Sequence, residues 1–123
     1  MEYRSLPEFD IAEINKIIES GTIDELIILP LSVGEYYTDW KVAQDICVQL
    51  ANHNDDRVRA NAALGLAYIA RTKGRLEKHI VKPILFKLLR ECMEQKWRII
   101  DSIEDINLYL KWHIAEKNNS KLE

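Results

Sequence analysis

Two pairs of neighbouring acids are the best candidates for chemistry in this chain of 123 residues. Asp101 and Asp105 are four residues apart and would share one face of a helix, while Asp24 is followed directly by Glu25. Two close carboxylates can act as general acid and base when a pocket raises the pKa of one of them. The simpler interpretation for the last helix is a solvated acidic face, and we favour it.

The sequence lacks the other common signatures of catalysis and metal binding. His53, His79 and His113 share no metal-ligand spacing with one another or with the two cysteines. The four glycines are isolated, so they form no phosphate-binding loop. Cys47 falls on an apolar helical face, where a buried structural thiol is more typical than a nucleophile. We therefore predict no enzyme activity, no metal and no cofactor.

The composition is typical of one globular domain, spanning residues 1–123. Hydrophobic residues make up 47% of the chain, and no segment approaches the roughly 20 apolar residues of a membrane span. The residues from Met1 to Arg4 do not start a secretory signal. Cys47 and Cys92 lie within helical patterns, which is typical of reduced thiols. We predict a cytoplasmic protein without membrane contact.

The net charge of −3 conceals a strong asymmetry along the chain. Residues 1–56 carry three basic and twelve acidic side chains, whereas residues 57–98 carry eleven basic and three acidic ones. Residues 99–123 carry three basic and five acidic side chains. The N-terminal half should therefore attract a basic partner and repel nucleic acid.

Helical periodicity predicts an all-α protein with six helices. The first has isoleucines at helical spacing between Asp10, a plausible cap, and Gly21, a stop signal. The second should run from about Ile23 to Leu29, where Pro30 breaks or bends it, and residues 33–37 should form a loop. The third helix is predicted to begin near Thr38 or Asp39, the fourth after the turn at residues 53–55, the fifth after Gly74 and the sixth around Gln95.

The apolar positions recur along the chain. Val42, Ile46, Cys47 and Leu50 shift by 39 residues onto Val81, Leu85, Phe86 and Leu89, and Ala62, Leu66 and Ile69 shift by 37 onto Ile99, Ile103 and Ile106. This spacing is just under that of HEAT and armadillo repeats. It predicts three helical hairpins: a capping or truncated one in residues 1–34, repeats in 38–73 and 75–115, and a frayed tail in 116–123.

The segment from Asn54 to Arg71 resembles the second helix of a HEAT repeat, with an Asp/Asn cluster, a Val-Arg opening and closely spaced Ala and Leu. Together with residues 39–47, it resembles small bacterial HEAT-repeat proteins. Some of these resemble the immunity proteins of polymorphic-toxin and contact-dependent inhibition loci. The resemblance implies a short α-solenoid that binds and neutralises a cognate toxin. DNA glycosylases built from HEAT-like repeats share only the general architecture.

In a HEAT-like stack, the second helix of each hairpin lines the concave side. Helix four should then display Arg57, Asn61, Tyr68 and Thr72, and helix six should display Arg98, Asp101, Ser102, Asp105, Tyr109 and Trp112. Tyr, Trp and Arg are frequent interface hot spots, although Tyr68, Tyr109 and Trp112 could instead pack on neighbouring helices. The predicted protein-binding residues are Asp24, Glu25, Tyr37, Asp39, Asn61, Tyr68, Arg98, Asp101, Asp105, Tyr109 and Trp112. Trp40 and Trp97 are expected in core or hinge packing.

The predicted partner is a basic toxin domain, because nucleases hold nucleic acid on basic surfaces that an acidic protein can mimic. Two alternatives remain open: a structural adaptor of a cytoplasmic complex and a nucleic-acid-binding HEAT-like protein. For nucleic acid, the best candidate is the basic run from Arg71 to Lys82. It has no interleaved aromatic residues to stack on bases, so we expect a solvated edge there.

Overall fold

The computed structural model describes residues 6–114, and this range contains six α-helices and no strand. The helices are α1 (Ile11–Ser20), α2 (Ile23–Tyr36), α3 (Trp40–Leu50), α4 (Asp56–Lys73), α5 (Lys78–Glu91) and α6 (Lys96–Leu110). The predicted all-α class is confirmed. The predicted frayed tail, 116–123, lies outside the described residues.

Side-chain caps fix where the first four helices begin. The caps are Asp10, Thr22, Asp39 and Asp55. At α2 the cap is reciprocal: the Thr22 amide donates to Glu25 Oε1 at 2.9 Å, and the Glu25 amide donates to Thr22 Oγ1 at 3.2 Å. Such a capping box satisfies two backbone donors that a helix start leaves without partners. At the other end of α4, Gly74 adopts the left-handed conformation, with φ of 68°, and ends the helix.

Helix α2 is longer than the sequence predicts, and the predicted loop at residues 33–37 is wrong. The helix continues through Pro30 to Tyr36, and both Pro30 and Gly34 are buried inside it. A proline within a helix removes one amide donor and usually costs about 3 kcal/mol. Here the packing of α2 on α4 offsets that cost, because Gly34 lets the two backbones approach closely.

Helices α2, α4 and α6 lie side by side and form what we call the central layer. Helix α4 packs against both α2 and α6, and α3 packs against α2 and α4. Helices α1 and α5 complete the fold against α2 and α6, respectively. Ala62 and Leu66 of α4 are fully buried. Their counterparts on α6, Ile99 and Ile103, are 0% and 2% exposed. The apolar stripe predicted for α4 is therefore in the core.

Candidate protein-binding surface

One side of the central layer faces solvent, and we call it the layer face. On α4, the side chains of this face that are not buried are Arg57, Leu64, Tyr68, Arg71 and Thr72. They follow helical spacing along one stripe, while nearly all other positions of α4 are buried. Of the stripe predicted from the sequence, Arg57, Tyr68 and Thr72 are not buried, and Leu64 and Arg71 lie beside them.

The two arginines of α4 on the layer face are both paired with acids. Arg71 of α4 forms an ion pair with Glu35 of α2. At the opposite end, Arg57 donates to both carboxylate oxygens of Asp55, at 3.1 and 2.9 Å. The hydrogen bonds from Arg57 lower the pKa of Asp55 to about 2, and the hydrogen bond to Asp55 in turn raises the pKa of Arg57, with a smaller contribution from the charge of Asp24. Asp24 itself is exposed at the start of α2.

Asn61 does not lie on the surface as the sequence suggested, since it is only 3% exposed. Its Nδ2 donates to the carbonyl oxygen of Ile27 on α2 at 2.8 Å, and its Oδ1 accepts from Arg98 Nη1 on α6 at 2.5 Å. One amide thereby joins all three helices of the central layer. Arg98 is also the residue 37 positions after Asn61, the offset that relates these two helices in the sequence. Asn61 can position Arg98, which is half-buried, but it offers little surface of its own.

The predicted residues of α6 extend the layer face beyond Arg98. Asp101, Asp105 and Tyr109 follow Arg98 at helical spacing, and all three are exposed. The prediction for Ser102 is wrong, because this side chain is fully buried and its hydroxyl donates to the carbonyl oxygen of Arg98 at 2.9 Å. Within residues 6–114, neither carboxylate makes an ion pair or a hydrogen bond. Arg98 and this acidic stretch therefore lie along one side of α6. Because both acids are exposed, the pair forms a solvated face.

The other predicted binding residues are engaged in contacts of a different kind. Glu25 takes part in the capping box of α2, and Asp39 caps α3, where its carboxylate accepts from the amide of Lys41 at 3.0 Å. Tyr37 ends α2 and lines a cavity of about 290 Å³ with Phe9. Trp112 is partly buried after α6, and its carbonyl oxygen accepts from Lys78 at 3.5 Å. For these four residues, the contacts in the structure favour roles in capping and packing.

Sequence reasoning missed residues on the outer side of α6. Trp97, expected in core or hinge packing, is 58% exposed. Leu108 is 61% exposed, and Glu104 lies between them on the same side. The periodicity of α6 contained this signal, because positions 97, 101, 104 and 108 all lie opposite the buried isoleucines. Trp40, in contrast, is partly buried against the core, as expected.

The basic run between α4 and α5 has aromatic neighbours after all. The guanidinium of Arg75 lies 4.8 Å from the ring centroid of Trp40, and Lys78 Nζ lies 6.0 Å from that of Trp112. These rings come from distant parts of the chain, so their proximity is invisible in the local sequence. The cations cover the ring faces, which favours intramolecular cation–π contacts over stacking of bases.

The two thiols are buried, and burial raises the pKa of each. A buried thiol with a raised pKa is a poor nucleophile at neutral pH. Between residues 6 and 114, no group of three or more His, Cys, Asp or Glu side chains is placed to hold a metal ion. No helix in that range is long and apolar enough to cross a membrane.

Comparisons with known proteins provide a structural neighbour. No protein-family model matches the sequence, and no curated protein matches it significantly. The fold is similar to a chain in a crystal structure described as a CDI complex from Cupriavidus taiwanensis LMG 19424, with a TM-score of 0.76 and 22% sequence identity. The match covers 89% of this chain and 97% of the other. At this identity, the likeness establishes a shared fold across nearly the whole of both chains.

Proposed function

We propose that this protein is a stoichiometric protein-binding module, and specifically an immunity protein that neutralises a cognate toxin domain by binding it. The observation that carries the proposal is the shared fold with a chain of a crystallised CDI complex, over 97% of that chain. CDI abbreviates contact-dependent inhibition, the same class of system that the sequence resembles. Fold alone does not determine function, so the surface chemistry must also fit.

The layer face has the composition of a protein-binding surface. It presents Tyr68, Arg71 and Arg98, residue types that are often interface hot spots, beside the exposed Tyr109. Arg71 and Arg98 are held in place by contacts to other helices of the central layer. Side chains that are fixed before binding lose less conformational entropy when a partner docks.

The proposal assigns no catalysis to the chain and favours a basic toxin domain as its partner. A nuclease holds nucleic acid on a basic surface, and the exposed acids of α6 could occupy that surface in place of phosphates. The protein would then act by occupying its partner in a one-to-one complex.

The test uses the carboxy-terminal domain of the protein whose gene immediately precedes that of this chain. Expressing that domain alone should arrest growth, and co-expressing this protein should restore it. The two purified proteins should form a one-to-one complex in size-exclusion chromatography with light scattering. If the protein is instead an adaptor, its co-expression would not relieve the growth arrest. If it is a nucleic-acid-binding protein, it would bind RNA or DNA with a steep salt dependence and would bind no protein partner.

A further inference from the structure

A straight line of exposed side chains runs along the outer side of α6. Trp97, Asp101, Glu104 and Leu108 are separated by four, three and four residues, so they lie on one helical face over about 16 Å. We call this line the α6 stripe. It has two acids at its centre and a large apolar side chain at each end.

The α6 stripe is not covered by any helix of the described chain. Helix α6 packs against α4 and α5, and its buried side is made of Ile99, Ile103 and Ile106. Trp97 and Leu108, on the opposite side, are among the most exposed large hydrophobic residues in residues 6–114. Each of the two offers an apolar contact at one end of the stripe, on either side of the acids.

The acids of α6 are also available to a partner. In the N-terminal half, many carboxylates are already engaged in the fold. Asp10, Glu13, Glu25, Asp39 and Asp55 take part in helix capping, and Glu35, Asp45 and Asp56 lie in ion pairs. Asp101, Glu104 and Asp105 are exposed and, within the described residues, make no such contact. Eight of the twelve acids of residues 1–56 therefore take part in the fold, with Glu8, Glu19 and Asp24 exposed and without such a contact among the described residues, whereas all three acids of α6 are free.

We propose that the α6 stripe is the principal docking surface for the toxin domain, an inference that rests on the proposed function. Its occupant is a basic amphipathic segment of that domain, with lysine or arginine side chains against Asp101 and Glu104. Apolar side chains of the segment pack on Trp97 and Leu108. The sequence predicted that the acidic N-terminal half attracts the basic partner. In this proposal, the acids of α6 make that contact instead.

Charge excludes the two other occupants of such a surface. Nucleic acid would bring phosphates against the carboxylates of Asp101 and Glu104, which make no ion pair within the described residues. A second copy of the chain, packed on the same stripe, would place the acids of one copy opposite those of the other. A basic protein segment meets neither repulsion, because its charges are opposite to those of Asp101 and Glu104.

Paired charge reversals test the proposal by association kinetics with the same toxin domain. Asp101→Lys/Glu104→Lys changes the net charge by the same amount as the control Glu8→Lys/Glu19→Lys, which alters exposed acids outside the stripe. At low salt, the α6 variant should associate about 10–100-fold more slowly than wild type, and the gap should shrink at high salt. The control should differ from wild type by no more than about 3-fold, since its charges are outside the contact.

Truncation of the apolar ends gives a second, independent readout. Trp97→Ala/Leu108→Ala should accelerate dissociation at least about 10-fold, whereas Ile11→Ala, at an exposed site on α1, should leave dissociation unchanged. Thermal melting of each variant confirms that it is folded.

The outcomes separate the two proposals. If wild type binds and both charge variants associate at the same rate, or the apolar truncations bind like wild type, the α6 stripe is not the docking surface and the proposed function stands. Self-association of the wild type that Trp97→Ala/Leu108→Ala abolishes would make the occupant a second copy and overturn the stripe proposal. If wild type neither binds nor neutralises the toxin domain, the proposed function is wrong and the docking proposal falls with it.

Discussion

Gly34 of α2 and Gly65 of α4 bring two helix backbones into contact. A Cβ atom added at Gly34 would lie 2.5 Å from the carbonyl oxygen of Gly65. One added at Gly65 would lie 2.5 Å from the carbonyl oxygen of Pro30 and 2.9 Å from Cys47 Sγ. Real Cβ atoms do not approach backbone oxygens so closely, so the spacing of α2 and α4 depends on both glycines. This spacing in turn allows Thr72 Oγ1 to donate to the Gly34 carbonyl oxygen at 3.0 Å.

Replacing either glycine by alanine should therefore destabilise the protein. Alanine is the better helix former by about 1 kcal/mol, which works in favour of the variants. The clash is with backbone, however, and separating the helices should cost more, for a net loss of ~1–3 kcal/mol in the free energy of unfolding. Chemical denaturation of Gly34→Ala and Gly65→Ala measures this directly.

Gly74→Asn is the control, because a Cβ added at this position would meet no atom within 4 Å and asparagine tolerates the left-handed conformation. Its stability should stay within about 1 kcal/mol of wild type. An increase in the stability of Gly34→Ala or Gly65→Ala would mean that helix preference outweighs the close approach.

Asn61→Ala should remove the link that joins α2, α4 and α6. The variant leaves the Ile27 carbonyl oxygen and the Arg98 guanidinium without their amide partner in a buried site. We expect a loss of ~1–3 kcal/mol in the free energy of unfolding. Asn15→Ala, at an exposed position of α1, should have little effect. Equal stability of the two variants would show that the buried amide contributes nothing net.

The stability of the protein should depend on Asp55 in acid. The hydrogen bonds from Arg57 lower the pKa of this carboxyl from 3.8 to about 2, so its ionised form is the one that stabilises the fold. That contribution is fully present above about pH 4 and is lost as the pH falls towards about 2. Asp55→Asn keeps a capping side chain but cannot ionise.

Melting temperatures of wild type and Asp55→Asn should therefore differ at pH 7 and converge as the pH falls from about 4 to about 2. Other carboxyls titrate in both proteins, so the difference between them isolates Asp55. A difference that stays constant over this range would place the stabilising charge elsewhere.

Cys47 should be unreactive in the folded protein. Its side chain is fully buried, and burial raises the pKa of the thiol. In Cys92→Ala, where Cys47 is the remaining thiol, an aromatic disulfide reagent at pH 8 should react at least about 100-fold faster in denaturant than in native buffer. Rapid labelling of the native protein would reveal an accessible thiolate and reopen the question of nucleophilic chemistry.

Much of the helical architecture could be predicted from the sequence because its signals are local. Asp10, Thr22 and Gly74 act at the helix end beside them, and the apolar period of α4 and α6 reports their buried sides. The end of α2 was not predictable in this way. Pro30 and Gly34 are helix-breaking signals in isolation, and only the contact with α4 makes them compatible with a continuous helix.

The candidate site was only partly predictable for a related reason. A helical wheel places Asn61 beside Tyr68, but it does not show that Arg98, 37 residues later, covers the Asn61 amide. The same limit applies to Trp97, whose exposure depends on α6 being the last helix of the central layer. Charge counts were similarly incomplete, because they do not show which carboxylates cap helices.

The exposed aromatic ring of Tyr109 should slow the dissociation of the complex. Tyr109 is 45% exposed on α6, next to Asp105 on the layer face, so its truncation should leave the fold intact. If the ring is an anchor of the interface, Tyr109→Ala should weaken binding by ~2 kcal/mol. This corresponds to dissociation that is about 30-fold faster, with little change in the association rate.

Tyr68→Ala should also weaken binding. It removes the contact between the Arg71 guanidinium and the Tyr68 ring, at 4.7 Å, so it should lower the stability of the protein as well. Dissociation rates and melting temperatures of the two variants separate these effects. If both variants dissociate like wild type, the partner does not touch the layer face, and contact is confined to the α6 stripe or to another surface.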